Sequence, residues 1–389
     1  MKRIFSLFSM LLISIASFAQ GVEFFEGTFA EAKAEAKKQN KYIFLDAYTT
    51  WCGPCKMLKK KVFPEKIVGD VMNEHFINIA IDMEKGEGIE LAKTYQVKAY
   101  PTLLFFDADG NEIDRLVGAL PAEEFVEAIK ETLKPENQLV TLKANVYDVK
   151  TPSKEDLSKY LNKVYGAYKT DDVMLGKFLA LVTDGDLKVK ENTDLLIKAS
   201  YVSGIESGLL PYFDKIDAEE KAIEGAKNNL AYNTLRNAVR ANVSEEEFNT
   251  KVELVKKEIP ESTSIIAQSE AQFYMKKKDY AKANMAVDQL AASMSDEKRV
   301  SSVLNSFAWK YYEANVEAKH MKKALTWINR SVMIDANYAN VDTQAHVYKA
   351  LGKTEKAIEA AQKSIELGKA AGQDVSSTEE LLKELSKNN

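Results

Sequence analysis

The chain has 389 residues, 46% hydrophobic and 29% charged, an ordinary globular composition in a chain too long for one core, so two or three domains are expected. Fifty-three Lys plus Arg against 58 Asp plus Glu leave a net charge of −5 with no basic block in the body of the chain, which argues against nucleic acid as a partner. Two cysteines and three histidines (His75, His320, His346) are too few for a disulfide-stapled framework or a closed Cys/His zinc site, so the cysteines must act as a pair.

Residues 1–19 carry Lys2 and Arg3, then the apolar run Ile4 to Ala16, then Ser17-Phe18-Ala19 before Gln20, the order of a secretory signal peptide with a cut after Ala19. The apolar run falls short of the ~20 residues that span a bilayer. Removing Lys2 and Arg3 takes the charge from −5 to −7, and no later stretch is long and apolar enough to cross a membrane. The mature protein is expected to be soluble in an oxidising compartment, the periplasm. No cysteine lies near the cut, which argues against lipid attachment there.

Residues 20–134 alternate short β-rich runs with helical stretches, the pattern of an α/β domain. Phe29 to Gln39 is Ala- and Lys-rich between a Thr28 cap and an Asn40 stop, hence a helix. Tyr42 to Leu45 is a continuous apolar run, the mark of a strand buried on both faces. A helix should start at Cys52 to Cys55 and run toward His75, broken at Phe63-Pro64, with His75 a surface or capping residue. Phe76 to Ile81 reads as a strand and Glu87 to Tyr95 as a helix. Glu84 to Glu90, with Gly86 and Gly88, reads as a short mobile loop and not a phosphate cradle, since no Lys-Ser/Thr follows its glycines. Thr102 to Phe106 and Ile113 to Val117 flank a hairpin turn at Asp107-Ala108-Asp109-Gly110. Pro121 to Leu133 closes the unit as a helix.

Residues 135–152 hold two prolines with weak periodicity and read as a linker or crossover; Ser153-x-x-Asp156 then opens a half with no good strand run. Residues 153–260 are helical without a clear register, read either as degenerate repeats or as a separate packing domain. Over 261–373 small residues recur at Ala271, Ala308 and Ala345, a spacing of 37 each time. Second helices are expected at Asp279 to Ala283, Met321 to Leu325 and Thr354 to Ile358, the last after a Leu351-Gly352-Lys353 turn. This region resembles tetratricopeptide repeats, its best copy running from Asn340 to Leu367 with Tyr348, Gly352 and Ala357. Ala and Tyr at helical spacing also fit any antiparallel helix pair. Trp309, Trp327 and Tyr311-Tyr312 sit at helical spacing and read as repeat core, and 374–389 as a terminal helix or tail.

Chemistry concentrates in Trp51-Cys52-Gly53-Pro54-Cys55-Lys56, directly after the buried strand and at a helix start. Two cysteines with two residues between them in a first helical turn can close a local disulfide, and free amides plus the helix dipole stabilise a thiolate on the first. Cys52 is the candidate nucleophile. Cys55, one turn deeper, can attack the mixed disulfide formed by Cys52 and release reduced substrate. Half of a metal site is the competing reading, but no further ligand pair exists. Asp46 follows apolar residues and is expected to lie buried beneath the cysteines, where desolvation raises a carboxyl pKa and makes it a usable proton acceptor for Cys55. An exposed strand-end aspartate is the alternative. Trp51 is read either as an apolar lid over the pair or as a plain core tryptophan.

With Asp46 six positions before Cys52, the lead-in Tyr42 to Asp46, Tyr100-Pro101-Thr102 before a strand and Val117-Gly118-Ala119-Leu120 after the hairpin, the N-terminal domain resembles thioredoxin. The resemblance implies a central mixed sheet flanked by helices, no cofactor beyond a redox-active Cys52–Cys55 disulfide, and a cis Pro101 facing the cysteines, with the backbone of Tyr100 pairing to substrate peptide. It departs at one position: the family's buried lysine partner of the aspartate falls at Asn78 here, so proton handling is expected to differ.

The reading is therefore an exported thiol–disulfide oxidoreductase with a helical domain that recruits a partner or substrate. Gly53-Pro54 is the thioredoxin dipeptide, and that family sits at about −270 mV against about −120 mV for dedicated oxidants, which favours a reductase of protein disulfides. The resemblance implies a membrane thiol electron donor. Lys56 to Phe76 is also similar to periplasmic reductase domains that pass electrons onward; cytochrome c maturation reductases are further relatives, but the sizeable insertion many of them carry is missing between Cys55 and Pro101. The competing classes are an interaction scaffold or chaperone-like module whose repeats bind a peptide or protein ligand, and a disulfide oxidase or isomerase, which the fold permits equally.

Overall fold

The computed structural model describes residues 21–387, so the targeting segment read over 1–19 lies outside the described residues. Helix α1 spans Phe29–Gln39, with Thr28 and Glu31 forming a reciprocal capping box and Asn40 in the left-handed conformation as its stop. Strand β1, Tyr42–Tyr48, is followed by the short helix α2, Gly53–Met57, which continues as a π-helical turn over Leu58–Val62. Pro64 then breaks the path, and α3 spans Lys66–His75. Strand β2 (Phe76–Asp82), α4 (Gly88–Thr94), β3 (Thr102–Phe106), β4 (Glu112–Val117) and α5 (Ala122–Thr132) follow.

The sheet order is β2-β1-β3-β4, with β1 parallel to β2 and the other two pairings antiparallel, the mixed sheet that the resemblance implies. Because side chains alternate along a strand, β1 feeds two cores. Ile43, Leu45 and Ala47 pack with α1 residues Phe29, Ala32 and Ala36 on one face. Phe44 packs on the other with Leu58, Phe63, Val68, Met72 and Phe125. Asp46, two residues on from Phe44, shares that second face. The β3–β4 turn is held by Asp107, whose Oδ1 accepts from the amides of Asp109 and Asn111, and Gly110 takes a φ of +88°.

Residues 135–152 differ from the expected linker. They contain a 3-10 turn at Pro135–Asn137 and helix α6, Leu139–Tyr147, which packs on β4 and on α7, Lys154–Gly166. Pro135 occupies the first position of its turn, where the missing N–H costs nothing, so it starts helical structure instead of preventing it. Helices α8 (Asp172–Leu181) and α9 (Lys190–Ser200) complete a compact unit that reaches Val202 and includes Lys215–Asp217. Lys163 of α7 reaches into it to pair with Asp114 of β4 at 2.6 Å, and Asp114 is fully buried.

The second unit comprises 203–214 and the chain from Ala218 onward. Helices α10 (Glu220–Ala241) and α11 (Glu245–Glu258) precede three helical hairpins, and α18 (Ser376–Lys387) follows them. The hairpins are α12/α13 (Thr263–Lys276, Tyr280–Ala292), α14/α15 (Glu297–Glu313, Ala318–Ile334) and α16/α17 (Tyr338–Ala350, Thr354–Ala370). Ala271, Ala308 and Ala345 each lie on the first helix of a hairpin and are fully buried, where a small residue lets the paired helices approach. Gly352 turns the last hairpin at a φ of +67°. In the middle hairpin the second helix starts at Ala318, three residues before Met321. Tyr311 and Trp327 are core, whereas Trp309 and Tyr312 are half-buried and meet His346 edge-on.

Candidate active site

Strand β1 ends at Tyr48, and the chain turns through Thr49 and Thr50 to present Trp51 and Cys52 at the start of α2. Cys52 is the N-cap of that helix: its backbone is extended and the Cys55 amide donates to its Sγ at 3.1 Å. An amide aimed at this sulfur stabilises negative charge there once the bond to Cys55 is open. Pro54 fits near the helix start because its missing N–H has no partner to lose. The pair is closed, with the Cα atoms 5.3 Å apart. Gly53 and Pro54 are exposed beside the disulfide, while Cys52 and Cys55 are buried.

The Tyr100–Pro101 peptide bond is cis. The Pro101 carbonyl accepts from the Gly118 amide at 2.9 Å, which ties the segment before β3 to the end of β4. Trp51 is 63% exposed, so it is not a core residue. Its indole N–H donates to both carboxylate oxygens of Glu84, at 3.0 and 2.9 Å, and its ring meets Tyr100 edge-on at 5.9 Å. Tyr100, with Pro101 next to it in the chain, is thus brought to Trp51, the neighbour of Cys52. Glu84 was missed in the sequence, where the segment Glu84 to Glu90 read as a mobile loop. The only local signal was an acidic residue two positions past a strand end, and the Trp51 contact across 33 residues exists only in the fold.

Asp46 lies 5% exposed on the second face of β1, and burial pushes its carboxyl up to about 7, with the attraction of Lys59 only partly offsetting this. A cavity of about 480 Å³ beside the disulfide is lined by Asp46, Thr49, Cys55, Lys56 and Lys59 together with Phe24 and Phe63. The structure therefore brings Asp46 and Cys55 to one cavity. Asn78 does not line that cavity: it pairs with Phe44 in the β1–β2 register, and its side-chain amide donates to the Glu23 carbonyl and to Asn73 Oδ1. His75 is the last residue of α3, far along the chain from this chemistry and partly exposed. Among the described residues no group of three or more His, Cys, Asp or Glu side chains could hold a metal.

A dithiol–disulfide pair with one sulfur under an amide donor, the other beside a carboxyl that titrates near neutrality, and an exposed aromatic platform can exchange disulfides with a docked thiol or disulfide partner.

Residues 29–133 match the thioredoxin-like domain family. The chain is 33% identical over 91 residues to a thioredoxin of Mycoplasmoides gallisepticum, covering 23% of this chain and 84% of that protein. It is 33% identical over 100 residues to the thiol:disulfide interchange protein DsbD of Yersinia pestis, covering 25% of this chain and 17% of that protein. A solved structure of a candidate disulphide-isomerase from Bacteroides thetaiotaomicron shares 48% identity over 30% of this chain and 98% of its own, with a TM-score of 0.28. The chain spans about half or less of the length of the first curated relatives it matches.

Proposed function

Since the chain belongs, through residues 29–133, to the thioredoxin-like family, we propose that it is an exported thiol–disulfide oxidoreductase that reduces protein disulfides. The observation that carries this reading is the Cys52–Cys55 disulfide held under the Cys55 amide at the start of α2, beside buried Asp46. Cys52 is the nucleophile, Cys55 resolves the mixed disulfide, and Asp46 accepts the Cys55 proton. Trp51, Tyr100 and Pro101 receive the substrate chain, and Gly53-Pro54 forms the turn between the two cysteines. The disulfide itself is the redox group, and no added cofactor is invoked.

Similarity to a protein named as a thiol:disulfide interchange protein supports disulfide-containing proteins as substrates and a membrane thiol as electron donor. Export to the periplasm is supported by the charge, core and small-residue order of residues 1–19. Among the described residues no helix is long and apolar enough to cross a membrane. The three helical hairpins with buried Ala271, Ala308 and Ala345 support tetratricopeptide-like repeats that recruit a peptide or protein ligand.

Insulin reduction driven by a small dithiol tests the enzyme reading, with Cys52→Ser as the blank; equal precipitation rates for parent and variant would end it. The potential of the Cys52/Cys55 couple tests direction. A value near about −270 mV supports a reductase, and one near about −120 mV reverses the electron flow.

A further inference from the structure

The cavity beside Cys55 holds two polar groups that the fold leaves without partners. Asp46 and Thr49 are 5% and 1% exposed, and neither Asp46 Oδ1 nor Thr49 Oγ1 meets a hydrogen-bond partner. A carboxyl that must ionise in such a place gains no donor from the protein, so the cations facing the cavity bear directly on how readily it takes on charge. Strand β2 offers none. The residue opposite Asp46 in the β1–β2 register is Ala80, and the nearby Asn78 spends its amide on Glu23 and Asn73.

The helical side does offer cations. Of the three consecutive exposed lysines Lys59, Lys60 and Lys61 on the π-helical turn, only Lys59 lines the cavity, joined there by Lys56 of α2. The wider π winding, closed by the Phe63 amide donating to the Leu58 carbonyl at 2.9 Å, sets which lysine faces in. The other ionisable groups lining the cavity are Tyr48 of β1 and Cys55 of α2, and Asp46 is the one carboxyl among its described lining residues. Of the two lysines, Lys59 is the one whose charge acts resolvably on Asp46.

We propose that Lys59 is a positioning residue for the resolving step: across the cavity its ammonium stabilises the Asp46 carboxylate and so makes Asp46 a competent acceptor of the Cys55 proton. This rests on the assignment of Asp46 as that acceptor. In the step, the Cys55 thiol gives its proton to the Asp46 carboxylate. The Cys55 sulfur attacks Cys52 Sγ of the mixed disulfide, the Cys52–Cys55 bond forms, and the bond from Cys52 to the substrate sulfur breaks. The electron pair leaves with the substrate sulfur, which takes a proton from solvent. Two electrons pass from the cysteine pair to the substrate disulfide, and no other reductant is needed within the turnover.

The test is single-turnover oxidation of the reduced full chain by excess peptide disulfide, followed across the acid and neutral pH range. Parent, Lys59→Met, Lys59→Arg, Lys60→Met and Asp46→Asn are compared. On the acid limb Lys59→Met should fall roughly twofold to fivefold below the parent, the range of a partly solvated charge pair, and its midpoint should move to higher pH. Lys59→Arg should keep the parent profile, Lys60→Met should follow the parent, and all three should reach the parent plateau at high pH. A Lys59→Met profile that overlays the parent, or an equal shift in Lys60→Met, overturns the inference. Asp46→Asn separates the two assignments: if it changes the acid limb, part of which belongs to the Cys52 thiolate itself, while Lys59→Met overlays the parent, the Lys59 role alone is lost. If Asp46→Asn leaves the height and midpoint of the limb as in the parent, Asp46 is not the acceptor and both assignments are lost.

Discussion

Replacing Asp46 with Asn should stabilise the protein above neutral pH while slowing its chemistry. Burial lifts the Asp46 carboxyl from 3.8 to about 7 in the folded protein, so between those values the folded state keeps a proton that the unfolded chain has released. Folded protein then binds more protons than unfolded protein, and stability must fall as pH rises through this window. The Asp46 contribution is at its best below about pH 4, declines up to about pH 7 and is fully lost above it. Three pH units at about 1.4 kcal/mol each put the loss at roughly 4 kcal/mol. Asn keeps the shape and stays neutral, but its amide hydrogens meet an unpartnered site at a cost of about 1–3 kcal/mol. The net expectation is a variant roughly 1–3 kcal/mol more stable than the parent at about pH 8 and no more stable at about pH 5. Urea unfolding of the oxidised full chain, with hydrogen exchange read on peptides from β1 and β3, isolates this domain from the other helices. A parent whose β1 and β3 protection is flat across the window, with an Asp46→Asn variant no more stable at the upper pH, would refute the buried-carboxyl argument.

Three further outcomes follow from named contacts. Cys55→Ser should accumulate thiol-reversible adducts with substrate proteins on non-reducing gels, and Cys52→Ser should form none. Glu84→Ala removes both acceptors of the Trp51 indole, so KM for a protein disulfide should rise roughly twofold to fivefold with kcat little changed, and Trp51 fluorescence should shift. Lys163→Met strands the fully buried Asp114 and should cost about 3 kcal/mol in chemical unfolding, most of it recovered in the double variant with Asp114→Asn.

What was legible in the sequence was local. Thr28 and Asn40 bound α1 because a side-chain cap and a left-handed stop act within a few residues. The Cys52-to-Cys55 spacing announced a disulfide for the same reason, and Asp46 was placed correctly in the interior because the apolar run before it leaves a strand no solvent face. Contacts made across the fold were not legible. Glu84 reaches Trp51 from a loop 33 residues away, and Lys59 looks like its exposed neighbours Lys60 and Lys61 until the π-helical turn sorts them. The hidden helix α6 is a subtler case. Leu139, Leu142 and Val146 have helical spacing and are buried, but Pro135 and Pro152 made the stretch read as a linker when they only flank it.

That helix changes where the catalytic domain ends, and this leads to a prediction of its own. Strand β4 is an edge strand, and α6 covers it. Two charged contacts then bind β4 to α7 and the residues after it: Asp114 to Lys163 at 2.6 Å, and Glu112 to Lys169 at 3.3 Å, with Glu112 also holding the buried Arg115. A chain cut at residue 134 would expose the covered edge and strip Asp114 of its cation. A chain cut after Val202 keeps every one of these contacts; the bonds from Asp217 to the Leu187 carbonyl and from Lys188 to the Lys215 carbonyl are lost, as is the Lys215–Asp184 ion pair. The longer piece should therefore remain folded and reduce insulin at close to the full-chain rate, while the shorter one should show low protection in hydrogen exchange and aggregate. If the piece ending at 134 is as stable and active as the one ending at 202, the ion pairs to α7 are incidental and the catalytic domain ends where the α/β pattern does. If the longer piece is active, comparing its Cys55→Ser adducts with those of the full chain measures what the hairpins after Ala218 contribute to capturing substrate.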